Sequence, residues 1–141
     1  MNDENDIIQF INEKLDLYPE IRYDNSVKDQ ISIFTNYDNG FDIVLYSDDT
    51  KSILYLGDFH INFEHTDHDI TALIHLVFYA LVGKVKLEVF CKNDQPYKFN
   101  LHALDDDGDW YIYKSMKSMC YKFWHKTSIK QLQNRFSAEF L

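Results

Sequence analysis

The chain has 141 residues, of which 45% are hydrophobic and 16% aromatic, and this size and composition suit one packed domain over residues 1–141. The formal net charge of −9 argues against general binding to polyanions, and the longest apolar run, Ile70 to Val82, is shorter than the roughly 20 residues that a membrane-spanning helix requires. The acidic start MNDENDII lacks the positive charge of a secretory signal, so we expect a cytoplasmic protein without a membrane partner.

The first half of the chain predicts one helix followed by three or four strands. Apolar residues repeat at helical spacing from Asp6 to Leu17, and Pro19 ends this pattern. Further along, apolar residues alternate with polar ones in the segments ISIFT, FDIVLY, SILYL and FHINF, as in half-buried strands. Asn39-Gly40 lies between the first two segments and predicts a two-residue type I′ hairpin turn.

The second half begins with a buried helix, predicted from Asp67 to Val82 and ended by Gly83. Four alternating runs follow, VKLEVFC, YKFNLHAL, WYIYK and CYKFWH, and each predicts a strand. A final helix is predicted from Ser128, because at helical spacing one face would carry the apolar residues Ile129, Leu132, Phe136 and Phe140.

This order of elements predicts an α+β fold. Short connections between strands indicate antiparallel β-meanders, about seven or eight strands packed with about three helices in the order α-βββ(β)-α-ββββ-α. Cys91 and Cys120 are the only cysteines and lie far apart in sequence, so we expect two reduced, buried thiols and neither a disulfide framework nor a metal motif.

The segment DFHINFEHTDHD, residues 58–69, carries His60, His65 and His68 among four carboxylates and raises the question of a metal site. The spacing favours a different interpretation, because alternation places His60 on the solvent side of a strand and Thr66 or Asp67 caps the helix that follows. The chain has no H-x-x-x-H pair. We therefore expect no metal and no cofactor in this segment.

The other histidines show no catalytic pattern. His75 lies within an apolar helix and is expected to be a hydrogen-bonded core residue, whereas His102 and His125 are expected to be exposed or at an interface. No nucleophile motif accompanies any imidazole, so the sequence favours a non-enzymatic protein with no catalytic residue.

Two segments in the second half carry the candidate binding residues. The segment DDDGD predicts a solvated hairpin turn and does not fit an EF-hand loop. The chain from Trp110 onward mixes six bases with aromatic residues, which suits single-stranded nucleic acid, but the net charge argues against that ligand and favours a protein interface that includes an exposed KSMKSM loop. The predicted binding residues are Asp105, Asp106, Asp107, Asp109, Trp110, Met116, Met119 and Trp124.

The two halves of the chain differ in charge: residues 1–83 hold 16 acids and 4 bases, and residues 84–141 hold 7 acids and 10 bases. We therefore expect a non-enzymatic module that binds a cationic protein partner, such as an immunity-type inhibitor of a basic nuclease or toxin. One alternative is a small-molecule-binding protein or hydrolase with a pocket near residues 60–69. Another is a homodimer that joins the acidic half of one copy to the basic half of the other.

Overall fold

The computed structural model describes residues 4–35, 38–118 and 126–137. Two helices and nine strands occur in these residues. In chain order they are α1 (Glu4–Leu15), β1 (Arg22–Asp24), β2 (Gln30–Phe34), β3 (Ile43–Ser47), β4 (Ser52–Leu56), β5 (Phe59–Phe63), α2 (Asp67–Val82), β6 (Val85–Lys92), β7 (Gln95–Leu104), β8 (Trp110–Lys117) and β9 (Thr127–Leu132).

The strands form two antiparallel sheets. Strands β1 to β5 pair in chain order and make the five-stranded sheet a simple meander. The four-stranded sheet has the order β8-β7-β6-β9, so the chain crosses to the far edge before β9. The predicted α+β class with antiparallel meanders is confirmed, but the described residues form nine strands and two helices instead of seven or eight strands and three helices.

The core is built from the alternating side chains of both sheets. In β5, for example, Phe59, Ile61 and Phe63 are buried and His60 and Asn62 are exposed. One apolar cluster joins such residues from both sheets with the buried faces of α1 and α2. Helix α1 packs on β2 and β3, and α2 contacts β5 and β6. Each sheet therefore has an inner face in the core and an outer face directed away from it.

Helix α2 begins and ends where the sequence predicts. Thr66 is the N-cap, and its hydroxyl accepts the Asp69 N–H at 3.1 Å. The Asp69 carboxylate in turn accepts the Glu64 N–H at 3.0 Å. At the other end Gly83 has a left-handed φ of 87°, and its N–H donates to the Tyr79 carbonyl. Neither of the described helices is long and apolar enough to cross a membrane.

The predicted C-terminal helix is wrong, because Thr127–Leu132 forms strand β9. Strand β6 supplies the core of the four-stranded sheet, and β9 pairs with the edge of β6 that would otherwise expose a row of unpaired backbone groups. Ile129 consequently faces outward and is 54% exposed, whereas Leu132 lies opposite the buried Leu87. The predicted strand CYKFWH lies in residues 119–125, outside the described residues, as does Phe140.

The type I′ turn predicted at Asn39-Gly40 is also wrong. Strands β2 and β3 are separated by residues 35–42, and Gly40 lacks positive φ. A turn of this kind occurs instead between β6 and β7, where Asn93 and Asp94 have φ values of 50° and 65°.

The C-terminal segment, residues 133–136, explains the conformation of the β2–β3 loop. The side chain of Asn134, only 1% exposed, accepts the Phe41 N–H and donates to the Phe41 carbonyl, each at 2.9 Å. The Gln133 N–H donates to the Asn39 carbonyl at 2.7 Å, and the Phe136 N–H to the Leu81 carbonyl at 3.0 Å. This segment therefore fastens the loop to the C-terminal end of α2.

Candidate interaction surfaces

The histidine and carboxylate segment does not converge on one point. His60 is exposed on β5 beside Tyr55, with ring centroids 5.9 Å apart. His65 contacts Ser52, and His68 lies 3.5 Å from the Asp69 carboxylate. Each imidazole thus contacts a different group. Within the described residues, no set of three or more histidine, cysteine or acidic side chains is arranged to hold a metal ion.

The contact between Ser52 and His65 was not predicted from the sequence. The Ser52 hydroxyl lies 3.0 Å from Nε2 of His65 and 2.8 Å from the Ser47 hydroxyl. A serine next to an imidazole is a common nucleophile arrangement. Ser47 and Ser52 are, however, 0% exposed, so a substrate cannot reach either oxygen. The contacts instead satisfy polar groups that the pairing of β3 with β4 buries.

The other two described histidines, His75 and His102, contact neighbouring side chains of the fold. His75 is exposed on α2, with its ring 5.9 Å from that of Tyr79, so the predicted core position is wrong. Although α2 is apolar overall, this position lies on its solvent side. His102 is half-buried, and its Nε2 lies 3.1 Å from the Glu88 carboxylate. His125 lies outside the described residues.

The predicted aspartate turn is present between β7 and β8. The Asp105 carboxylate accepts the N–H groups of Asp107 and Asp109, both at 2.9 Å. The Gly108 N–H donates to the Asp105 carbonyl, and Gly108 has a left-handed φ of 86°. This is a type I turn followed by a left-handed glycine, a common three-residue hairpin connection. The predicted hairpin is confirmed, and Asp106 and Asp107 are exposed at its tip.

The other predicted binding residues are divided between the two faces of the four-stranded sheet. Trp110 begins β8 and is 37% exposed on the outer face. Met116 lies opposite the buried Phe99 and packs against the core, so it faces the other side of the sheet. Met119 and Trp124 lie outside the described residues. The first four residues of the predicted KSMKSM loop belong to β8, so the loop prediction is wrong there.

Three connections meet at one end of the five-stranded sheet. Since β1 to β5 form a meander, the β1–β2 loop, the β3–β4 turn and the chain that leaves β5 lie at the same end. The Ser47 N–H donates to the Asp29 carbonyl at 2.8 Å and joins two of these connections directly. We name this region the acidic end. It carries two lysines, Lys28 and Lys51, and seven acids, Asp24, Asp29, Asp48, Asp49, Glu64, Asp67 and Asp69.

Backbone hydrogen bonds keep carboxylates of the acidic end ionised. The Thr50 N–H donates to Asp48 at 2.8 Å and, with further donors, holds the pKa of Asp48 well below its ordinary value of 3.8. The pKa values of Asp24 and Asp69 are lowered in the same way, since each accepts a backbone N–H, at 2.8 and 3.0 Å. Nδ1 of His68 lies 3.5 Å from the Asp69 carboxylate and also contributes to the lowering of the Asp69 pKa.

The outer face of the five-stranded sheet adjoins the acidic end and is poor in charge. Cross-strand neighbours on this face include Tyr46 with Ile53 and Tyr55 with His60. Tyr55 is 39% exposed. We name this surface the tyrosine face. It has no acidic residue, lysine or arginine on β2 to β5, where it consists of Gln30, Ser32, Phe34, Val44, Tyr46, Ile53, Tyr55, His60 and Asn62.

Three cavities lie away from the histidine segment. One of about 350 Å³ lies between α1 and the β1–β2 loop, and one of about 510 Å³ lies near Pro19. A third of about 200 Å³ lies between the sheets beside Cys91, whose thiol is buried as predicted; Cys120 is outside the described residues. None of these three cavities is lined by a histidine, so none supports the expected pocket near residues 60–69.

Comparison of the chain with models of known protein families, with curated proteins and with solved structures gave no match. The outer faces of the two sheets and the acidic end are the candidate interaction surfaces of the described residues.

Proposed function

We propose that this protein is a non-enzymatic interaction module of the cytoplasm that binds a cationic protein surface through its acidic end and the adjoining tyrosine face. An inhibitor or immunity-type protein for a basic nuclease or toxin is the concrete form of this proposal. The observation that carries it is the meeting of three acidic connections beside an outer sheet face that is charge-poor and presents the exposed Tyr55.

The acidic end supplies long-range attraction. Seven acids and two lysines give these connections a net charge of −5, and Lys114 of β8, whose charge helps to lower the pKa of Asp69, adds one positive charge beside them. Because backbone N–H groups lower the pKa values of Asp24, Asp48 and Asp69, these three carboxylates stay ionised at a lower pH than ordinary aspartates. A field of one sign raises the association rate of an oppositely charged partner by roughly 10- to 1000-fold at low salt. Carboxylates can also occupy the positions that phosphates take in the active site of a nuclease.

The tyrosine face supplies the short-range contact. Interfaces concentrate aromatic residues at an apolar centre with few charges and place polar groups at the rim. Tyr55 is suited to the centre, because its ring is exposed and is packed beside His60 on a rigid antiparallel pair. A partner would therefore meet the acidic end first and bury the tyrosine face last.

The alternative function, a small-molecule binder or hydrolase near residues 60–69, has weaker support. Its best candidate is the contact between Ser52 and His65. The hydroxyl is fully buried, and the described cavities lie elsewhere. Hydrolysis needs a nucleophile that a substrate can approach closely, and this arrangement does not offer one.

The proposal is tested with the full chain immobilised and three cationic probes: polylysine, a basic ribonuclease and a basic deoxyribonuclease. Binding is expected to weaken with rising salt. The double variant Asp49→Asn/Asp67→Asn should lower the association rate about tenfold, since each rim charge contributes roughly 0.5–1 kcal/mol. Tyr55→Ala should mainly raise the dissociation rate.

The control variant, Asp106→Asn/Asp107→Asn, makes the same change in net charge at the β7–β8 hairpin. An equal or larger effect of this control would transfer the binding site to the hairpin and Trp110, the location predicted from the sequence. No salt-dependent binding of any of the three probes, even at low salt, would overturn the proposed function itself.

A further inference from the structure

The outer face of the four-stranded sheet forms a second surface, opposite in charge to the acidic end. Four of the six lysines on its strands lie on this outer side with one acidic residue, Glu88, for a net charge of +3, whereas Lys114 and Lys130 lie opposite buried residues on the other side. Four of the lysines alternate with exposed or half-buried apolar side chains on the outer side. We name this surface the basic face, and its residues are Lys86, Glu88, Phe90, Lys92, Tyr97, Lys98, Asn100, His102, Leu104, Trp110, Ile112, Ser115, Lys117 and Ile129.

The lysines of the basic face lie over aromatic rings. Nζ of Lys86 is 4.1 Å from the centroid of Trp110, and Nζ of Lys98 is 4.9 Å from that of Phe90. A third such pair, at 5.8 Å, joins Lys92 to Tyr97. Each pair places a cation against the face of an aromatic ring on a rigid sheet, so a base that stacks on that face displaces the ammonium group to its edge, where it can meet the phosphate. This combination can contact a phosphate and a base at the same time.

Two lysines lie in a costly arrangement. Lys98 on β7 and Lys117 on β8 are direct cross-strand partners. Like charges opposite each other in a sheet destabilise the pairing. The Lys98 ammonium lies over Phe90 on the other neighbouring strand, which reduces the repulsion, and an anion bound between the two lysines would reduce it further.

The acidic residue of the basic face is already engaged. The Glu88 carboxylate accepts Nδ2–H of Asn100 at 3.2 Å and lies 3.1 Å from Nε2 of His102. The Ser115 hydroxyl donates to the Asn100 carbonyl oxygen at 2.7 Å. Although burial opposes ionisation, the hydrogen bonds from His102 and Asn100 outweigh it, and the pKa of Glu88 is lowered. This network fixes the centre of the face, and the charge of Lys98 contributes to the lowered pKa of Glu88.

We propose that the basic face binds single-stranded nucleic acid, with lysines on the phosphates and with Trp110 and the neighbouring rings stacked on bases. The net charge of −9 is a sum over the whole chain, whereas a nucleic acid would contact one surface, whose local charge can be positive. The lysines on the outer side of β6, β7 and β8 form a positive cluster, whereas the acidic end belongs to the other sheet and the aspartates of the β7–β8 turn adjoin only the Trp110 end of the basic face. Lys86 and Lys92 are six residues apart on β6, about 20 Å, which suits a site of about four nucleotides.

A single strand is favoured over a duplex for a structural reason. The basic face is a sheet surface whose rings can stack only on bases that are not already stacked in a helix. Recognition by charge alone would not use Trp110. An anion that carries no bases therefore distinguishes binding by charge alone from binding that includes base stacking.

The test uses the full chain and fluorescence anisotropy with a labelled oligothymidylate, a duplex of equal length and heparin. Four contacting lysines predict a slope of about −3 for log K against log salt, and about 50-fold weaker binding between roughly 50 and 200 mM salt. Lys86→Ala should make the slope shallower by about 0.7. Trp110→Ala should weaken oligothymidylate binding by about tenfold and leave heparin binding unchanged.

The charge-matched control is Lys28→Ala at the acidic end, which should bind the oligothymidylate as the wild type does. Equal binding of heparin and oligothymidylate, with no effect of Trp110→Ala, would overturn the proposal in favour of a charged surface without base stacking. Absence of binding at low salt would also overturn it. Salt-sensitive dimers in sedimentation, lost in Lys98→Ala/Lys117→Ala, would identify the acidic end of a second copy as the occupant instead.

Discussion

The Asn134 side chain is predicted to be a principal fastening point of the fold. It makes two hydrogen bonds of 2.9 Å with the backbone of Phe41, and Asn134 and Phe41 are only 1% and 4% exposed. Asn134→Ala leaves the Phe41 N–H and carbonyl buried without these partners. A buried unpaired polar group costs about 1–3 kcal/mol, so the variant should lower the free energy of unfolding by about 2–5 kcal/mol.

Urea unfolding followed by far-UV circular dichroism measures this loss. With a typical slope of about 2 kcal/mol per M, the midpoint should fall by roughly 1–2.5 M while the slope remains unchanged. Asn62→Ala provides a control, because Asn62 is exposed on β5 and its loss should change the stability by less than about 0.5 kcal/mol. Gln133→Ala should give an intermediate result, since it removes one bond of 2.7 Å to the Gly83 carbonyl.

Asn134→Asp separates the lost donor from a change in packing. At neutral pH the carboxylate accepts the Phe41 N–H but repels the Phe41 carbonyl, and burial raises the pKa of the new carboxyl group. Its stability deficit relative to the wild type should narrow as the pH falls through that raised pKa, because the protonated group can donate again. A deficit in Asn134→Ala of less than about 0.5 kcal/mol, or one in Asn134→Asp that is independent of pH, would refute this reasoning.

Three further predictions concern local features of the chain. Gly83→Ala should lower the free energy of unfolding in urea more than Gly108→Ala does. Both glycines have left-handed φ, so alanine is strained by about 1 kcal/mol at either position, but only at Gly83 would the added Cβ lie 2.9 Å from the Asn134 carbonyl oxygen. Thr66→Ala should cost about 1 kcal/mol through loss of the α2 cap, and an unchanged midpoint would contradict that role. Asp48→Ala should reduce the loss of stability between about pH 5 and pH 2, because a carboxylate with a lowered pKa stabilises above its unfolded pKa and loses this effect as the pH falls; acid titration of the unfolding midpoint checks this.

Patterns that depend on nearby residues predicted the structure well. The limits of α2 follow from Thr66, which caps its start, and Gly83, which ends it; the side chain or backbone at each position satisfies helix groups a few residues away. The alternation in β5 likewise follows from the need to bury Phe59, Ile61 and Phe63. Each of these patterns depends only on residues that lie within a few positions of one another in the sequence.

Features that depend on contacts between residues far apart in sequence could not be predicted from local patterns. Ile129, Leu132 and Phe136 have helical spacing, but the free edge of β6 draws the segment Thr127–Leu132 into a strand. The β2–β3 loop takes its shape from Asn134, 93 positions beyond Phe41 in sequence. The contact of Ser52 with His65 likewise depends on the register of β4 against β5.

The separation of charge follows from topology more than from composition. In a meander, alternate connections lie at the same end of the sheet, so acids in the first and third connections meet those that follow β5. In a strand, side chains two positions apart share a face, which is why Lys86 and Lys92 both lie outside on β6. The net charge of −9 conceals both effects. The two proposed binding surfaces together predict that substitutions that change the total charge equally have opposite effects on the binding of cationic and anionic partners.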